Sequence, residues 1–255
     1  MRICRFLHGG RILFGLVEGD RVTAIEENSP FGPLTPAGES LRLSAVKLLV
    51  PVLPSKIIAV GRNYRAHAAE LDNEVPAEPL LFMKAPSALL NPGDTIRLPP
   101  ESSRVDYEGE VVVVVGRPAR NLAPAEHPLD YVLGFTCGND VTARDLQKRD
   151  GQFMRSKSFD SFAPVGPWIE TSIDASDIQI ETRVNGAVKQ QGRTKDLIFP
   201  IDHLIRYIAR VMTLLPGDLL FTGTPAGVGP LHAGDRVDVE IVGIGTLSHT
   251  VAAGE

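Results

Sequence analysis

The stretch Asp106-Tyr-Glu-Gly-Glu-Val-Val-Val-Val-Val-Gly116 decides the fold class. Its five consecutive valines are too β-branched, and the run is too short, for a helix; closed by Gly116, it reads as a strand buried on both faces. Glu108 and Glu110 lead into that strand at i and i+2, so both carboxylates leave it on one face, about 7 Å apart along the chain. A Glu-x-Glu pair on a solvated edge is unremarkable. At the mouth of a buried strand it requires a partner or a cation. Gly109, between them, leaves the other face open to close approach by a neighbouring element.

Outward from this strand, Tyr131–Cys137 reads as another, ending in Gly138-Asn139-Asp140, which is turn chemistry. Beside the Glu-x-Glu strand, Asp140 completes a set of three carboxylates. An all-oxygen set of that kind suits Mg²⁺ or Mn²⁺ rather than zinc. Upstream, Lys56–Val60 is a short apolar strand opening onto Gly61-Arg62-Asn63-Tyr64. Asn63 is placed to cap a helix over Tyr64–Leu71, which must stop before Pro76. On it His67 and Glu70 stand three apart on one face, so the carboxylate can orient the imidazole and support its basicity. Lys157 lies in Arg155-Ser-Lys-Ser-Phe-Asp-Ser-Phe162, a stretch unlike a solvated charged face; a partly desolvated lysine stabilises developing negative charge. The loop Thr222-Gly-Thr-Pro-Ala-Gly-Val-Gly229 lacks the Gly-Lys-Ser/Thr ending of a nucleotide-binding loop, and its N–H groups with Thr224 suit a small carboxylate. The other histidines show no ligand spacing.

The N-terminal fifty residues read as a small β unit. Ile3–Leu7 and Arg11–Val17 form a hairpin, Val22–Ile25 a third strand, and 28–40, with three prolines and two glycines, a linker. This puts a small subdomain at 1–54 and the main domain at 55–255. In the second half, Ile178–Val184 turns at Asn185-Gly186 and returns through Val188 as a hairpin. Ile201, Leu204, Ile205, Ile208, Val211 and Met212 recur at helical spacing after Pro200. Strands follow at Asp218–Thr222, through Val237, Val239 and Ile241, and at Leu247–Val251. Strands outnumber helices without regular alternation, so the fold class is a β-rich α+β.

Composition narrows the function. The 255 residues are 43% hydrophobic and 22% charged, with a net charge of −5. These are globular values, with no basic footprint for nucleic acid. Two cysteines, Cys4 and Cys137, exclude a disulfide framework and a thiolate zinc site. The first residues lack a secretory apolar segment and no run approaches a membrane span, so a cytoplasmic protein without membrane or nucleic-acid partners is expected.

Six strings in order resemble the fumarylacetoacetate hydrolase family, in its bacterial single-catalytic-domain form. They are Gly61-Arg-Asn-Tyr-Arg-Ala-His-Ala-Ala-Glu70, Pro79-Leu-Leu-Phe-Met-Lys-Ala-Pro-Ser87, the Asp106–Gly116 stretch, Gly138-Asn-Asp-Val-Thr-Ala-Arg-Asp-Leu-Gln147, Lys157-Ser-Phe-Asp-Ser-Phe-Ala-Pro-Val-Gly-Pro-Trp168 and Thr222–Gly229. The resemblance implies a mixed β-sandwich roll, a homodimer, and one Mg²⁺ or Mn²⁺ held by Glu108, Glu110 and Asp140. It implies that His67 and Glu70 sit on a lid and activate water or relay protons. Lys157, Gln147 and Thr224 would lie at a small 2-oxo acid substrate, with Arg62 and Asn63 in the loop before the lid. The expected reaction is hydrolysis of a C–C bond in an acylpyruvate or fumarylpyruvate through a metal-stabilised enolate. The same pocket also suits a 2-hydroxyhepta-2,4-diene-1,7-dioate isomerase, a 5-carboxymethyl-2-oxo-hex-3-ene-1,7-dioate decarboxylase or an oxaloacetate decarboxylase. A reading of another class is a non-enzymatic metal-binding dimer.

Overall fold

In the structure, a computed structural model describing residues 1–254, the valine run is the strand Gly109–Val115, buried along its whole length. Alternation sends its side chains into two cores. Val112 and Val114 join Ile57, Ala59, Phe162 and Phe221 in one, while Val111 and Val113 join Ile180, Val239 and Ile241 in the other. The strand lies within a 12-stranded sheet, between Val132–Asn139 and Leu219–Phe221. A 5-stranded sheet built on the Gln179–Val184 and Ala187–Arg193 hairpin packs on one side of it. Pairing is mostly antiparallel, but Leu219–Phe221 runs parallel to Ile57–Gly61, and Gly245–Ala253 parallel to Thr95–Leu98. This is the mixed, β-rich α+β architecture expected. Among the described residues no helix is long and apolar enough to cross a membrane.

The N-terminal hairpin forms as expected, Arg2–His8 with Arg11–Glu18 and then Arg21–Ile25. Through Arg2–His8 it extends the large sheet, pairing Ile3 with Ile169 of Ala163–Glu170. The supposed linker is corrected: Pro36–Arg42 is a strand paired with Arg21–Ile25, because backbone pairing needs no apolar pattern when one face is solvated. The helix Ile201–Val211 buries Ile201, Leu204, Ile205 and Ile208, but Val211 in its last turn is 60% exposed rather than inward. Two helices escaped the sequence reading, Arg144–Asp150 and Met154–Lys157. Their residues are mostly polar and carry no amphipathic period.

His249, on Gly245–Ala253, is buried with Nδ1 2.8 Å from the Asp94 carbonyl and Nε2 without a partner among the described residues. Burial pushes its pKa down from 6.5 to about 4, so the folded protein holds it neutral while the unfolded chain protonates first. Its contribution is therefore intact above 6.5 and is lost as pH falls towards 4, by up to about 3 kcal/mol. Urea unfolding of His249→Asn should show a flatter stability profile across that window than the parent protein. An unchanged slope would exclude His249 as its source.

Candidate metal centre and substrate cavity

Antiparallel pairing builds the centre. Gly109 faces Asn139 in register, so the start of the valine strand lies beside the end of Val132–Asn139. Asp140 follows at once, and its N–H donates to the Glu108 carbonyl at 2.8 Å. The Asn139 side chain accepts the Glu108 N–H at 2.9 Å. Glu108, Glu110 and Asp140, all buried, each present an oxygen within 4.8 Å of the others.

Basic residues surround these carboxylates. Lys157, at the end of Met154–Lys157, donates to Glu108 Oε2 at 2.7 Å and Asp140 Oδ2 at 2.6 Å. Lys84 donates to Asp140 Oδ1 at 2.5 Å, and Arg144 to Glu108 Oε1 at 2.5 Å and Asp106 Oδ2 at 3.0 Å. Burial opposes the charge on Lys157, but Asp140 and Glu108 outweigh it and hold the ammonium above its ordinary value. For Glu108 the penalty of burial is likewise overcome, by Lys157 and Arg144, and its pKa lies well below the usual carboxyl range. Glu110 differs. Among the described residues its carboxylate accepts one hydrogen bond, from the Gly223 N–H to Oε2 at 2.7 Å. Burial, with Asp140 and Glu108 close by, drives its pKa well above 4.5.

That imbalance tests the fit of a metal. Lysine or arginine partners Glu108 and Asp140, whereas Glu110 is buried against two carboxylates with no basic side chain bonded to it among the described residues. A divalent ion among the three answers this need, and an all-oxygen donor set matches Mg²⁺ or Mn²⁺. The residues present fit the group.

A cavity of about 450 Å³ opens beside the carboxylates, lined among others by Arg62, His67, Glu70, Gln147, Lys157 and Thr224. His67 lies on the helix Arg65–Glu70 and is buried there. Burial lowers its pKa below 6.5, with the charge of Glu108 only partly opposing. Nδ1 stands 3.5 Å from Glu70 Oε2, just beyond a good hydrogen bond, and has no other partner among the described residues. Glu70 meanwhile accepts the Gly227 N–H at 3.0 and 3.1 Å, tying the short helix to the 222–229 loop. Gln147 accepts from Arg144 at 2.7 Å. Arg62 reaches the cavity from a left-handed backbone with φ 56°, a conformation costly for a non-glycine residue.

Asn63 needs correcting. It is not the helix cap, which falls on Tyr64 without a side-chain bond, and it does not line the cavity. Its amide donates to the carbonyls of Phe199 and Thr222 and accepts the Phe199 N–H, so its capacity is spent joining two loops. Sequence reasoning missed Lys84 and Arg144 as members of the site. A signal existed for Lys84, which falls in phase with Leu80 and Phe82 on a strand and so shares their face. For Arg144 there was none beyond its closeness to Asp140.

Two family models match the chain: one described as Fumarylacetoacetate (FAA) hydrolase C-terminal over residues 56–252, the other as Rv2993c-like, N-terminal over 1–51. Among solved structures, 2-hydroxyhepta-2,4-diene-1,7-dioate isomerase from Mycobacterium marinum is 44% identical, with TM-score 0.91, covering 99% of this chain and 98% of that one. Maleylpyruvate hydrolase from Sphingobium sp. SYK-6, solved with manganese (II) ion and pyruvate, is 31% identical, with TM-score 0.83 and full coverage of both chains. Oxaloacetate tautomerase YisK from Bacillus subtilis is 40% identical over 95% of this chain and 86% of its own.

Proposed function

The chain belongs to the fumarylacetoacetate hydrolase family, whose members are isomerases, hydrolases and tautomerases, and from that premise we propose that it catalyses keto–enol proton transfer on a small 2-oxo dicarboxylate. The observation that carries this reading is the placement of a buried imidazole, kept neutral, in the same cavity as three carboxylates and a buried ammonium.

The chain's own groups divide the work. With Nδ1 facing Glu70, the His67 proton belongs on Nδ1, which leaves the Nε2 lone pair to accept a proton from the carbon next to the oxo group. Glu70 stabilises the imidazolium that results. The Lys157 ammonium balances negative charge growing on the substrate oxygen, in a setting where water screens it little. A divalent cation held by Glu108, Glu110 and Asp140 would supply Lewis-acid stabilisation of that same charge. At the mouth, Arg62 and the exposed Lys148 line the cavity with no ion-pair partner among the described residues, which suits a second carboxylate on the substrate.

A second reading is C–C hydrolysis of an acylpyruvate. The His67–Glu70 pair favours it, since the same imidazole can deprotonate a water, and the similarity to a maleylpyruvate hydrolase points the same way.

The test is a side-by-side assay of the Mn²⁺-loaded protein on enol-oxaloacetate, 2-hydroxyhepta-2,4-diene-1,7-dioate and an acylpyruvate. Enol absorbance is followed together with release of pyruvate and CO₂. Loss or shift of the enol band without cleavage products is the expected result, and Lys148→Ala should raise KM for a dicarboxylate roughly fivefold with kcat little changed. Release of pyruvate from the acylpyruvate would establish the second reading. Mn²⁺ bound with every substrate untouched would leave a non-enzymatic metal binder.

A further inference from the structure

Gln190 stands out on the return strand Ala187–Arg193, an edge of the 5-stranded sheet whose other residues are exposed or half-buried. It alone is buried, at 1% exposure. The cause is local. Thr182 pairs with Gln190 and Arg183 with Val188, so Lys189 is an extra residue that bulges the strand. Such a bulge re-aims the side chain beside it, and here the amide enters the protein.

Its partners lie in two segments of the site. Gln190 Oε1 accepts the N–H of Gly109, the residue between Glu108 and Glu110, at 3.0 Å. Nε2 donates to Thr224 Oγ1 at 2.7 Å and to the Pro225 carbonyl at 2.8 Å. The orientation of the amide is over-determined, because Gly109 N–H can only donate and the Pro225 carbonyl can only accept. The hairpin also presses on both segments. A Cβ on Gly109 would lie 2.1 Å from Thr182 Oγ1, and one on Gly227 2.0 Å from the Lys189 carbonyl.

We infer that Gln190 is a positioning residue: it locks the Glu108–Glu110 strand to the 222–229 loop and sets the direction of the Thr224 hydroxyl. Thr224 has one proton, which goes to the Gly109 carbonyl at 2.8 Å while the amide donates to its oxygen. What remains for the cavity is a lone pair. Thr224 therefore meets a donor, such as the hydroxyl of an enol or a water, rather than the carboxylate that its loop alone suggested. Gly227 carries the constraint onward, since its N–H holds Glu70 and hence the helix bearing His67.

The inference rests on the proposed metal-dependent enolisation, and the test separates the two. Gln190→Met keeps the volume and removes every hydrogen bond; Thr224→Val removes the hydroxyl. Mn²⁺ affinity is measured by calorimetry on EDTA-stripped protein, and kcat and KM on enol-oxaloacetate. Val184→Ala, at the turn end of the same hairpin and bonded to none of these groups, serves as a stability control. Gln190→Met should lower Mn²⁺ affinity and kcat/KM by roughly 10–100-fold, while Val184→Ala changes neither. The double variant should be no worse than the weaker single one, because both act through the same hydroxyl and strand. Should Gln190→Met fail to fold, Gln190→Glu keeps an acceptor for Gly109, loses the amide donors, and should show the same fall in kcat/KM. Parent-like affinity and turnover in the folded Gln190 variant, or losses that simply multiply with Thr224→Val, would overturn the inference. A parent protein that binds no Mn²⁺ would overturn the functional reading along with it.

Discussion

Glu110→Gln is expected to fold, to lose Mn²⁺ binding, and to lose turnover by about a thousandfold or more, the equivalent of several kcal/mol of Lewis-acid stabilisation. It is also expected to be more stable than the parent protein when both are stripped of metal at neutral pH. The reason is the direction of its pKa. Burial, reinforced by Asp140 and Glu108, raises the Glu110 carboxyl well above 4.5. Without a cation the folded protein therefore binds a proton that the unfolded chain gives up above 4.5. Metal-free stability falls as pH rises from that point, and a neutral amide removes the fall. Below about 4.5 the advantage of the variant vanishes, since both chains are then neutral at this position. Thermal unfolding in EDTA across pH, paired with calorimetric Mn²⁺ titration, reads both effects. A variant that still bound Mn²⁺ like the parent would remove Glu110 from the ligand set.

His67→Gln should lower kcat by roughly 10²–10⁴, the usual range for a lost general base, while leaving Mn²⁺ affinity near that of the parent. The imidazole is buried and its pKa lies below 6.5, so it is neutral at pH 7 and ready to accept a proton. As pH falls through that depressed value the base is consumed, and kcat measured at saturating Mn²⁺ should drop on the acid side in the parent protein only. An acid limb that survives in His67→Gln would assign it to another group. Glu70→Gln should show a milder loss, because an amide oxygen can still accept from Gly227 but no longer stabilises an imidazolium.

How far the sequence disclosed this arrangement depends on the range of the interactions involved. The valine strand, the Asn185-Gly186 hairpin and the Glu108-Gly109-Glu110 pair were legible because each follows from a pattern a few residues long. The pairing that joins Glu108 to Asp140 was legible only as a conjunction, and register turned it into geometry. Lys84, Arg144 and Gln190 stayed hidden, since the partners that draw each into the site lie 34 or more positions away, and Gln190 is re-aimed by a bulge that no periodicity announces. Asn63 was misread for the opposite reason: it had the right residue type for a cap, but tertiary bonds to Phe199 and Thr222 claimed its amide. Pro36–Arg42 hid behind its proline and glycine content.

The charged groups under the cavity form a row of alternating sign: Lys84, Asp140, Lys157, Glu108, Arg144, Asp106 and Arg104, each in contact with the next. Neutralising one interior member strands its neighbours without water, a heavier burden than the lost pair itself. A lineage drifting toward new chemistry on this scaffold is thus obliged to exchange neighbouring positions together, with compensating signs. Innovation is cheaper at the rim, where Arg62 and Lys148 stand outside the row.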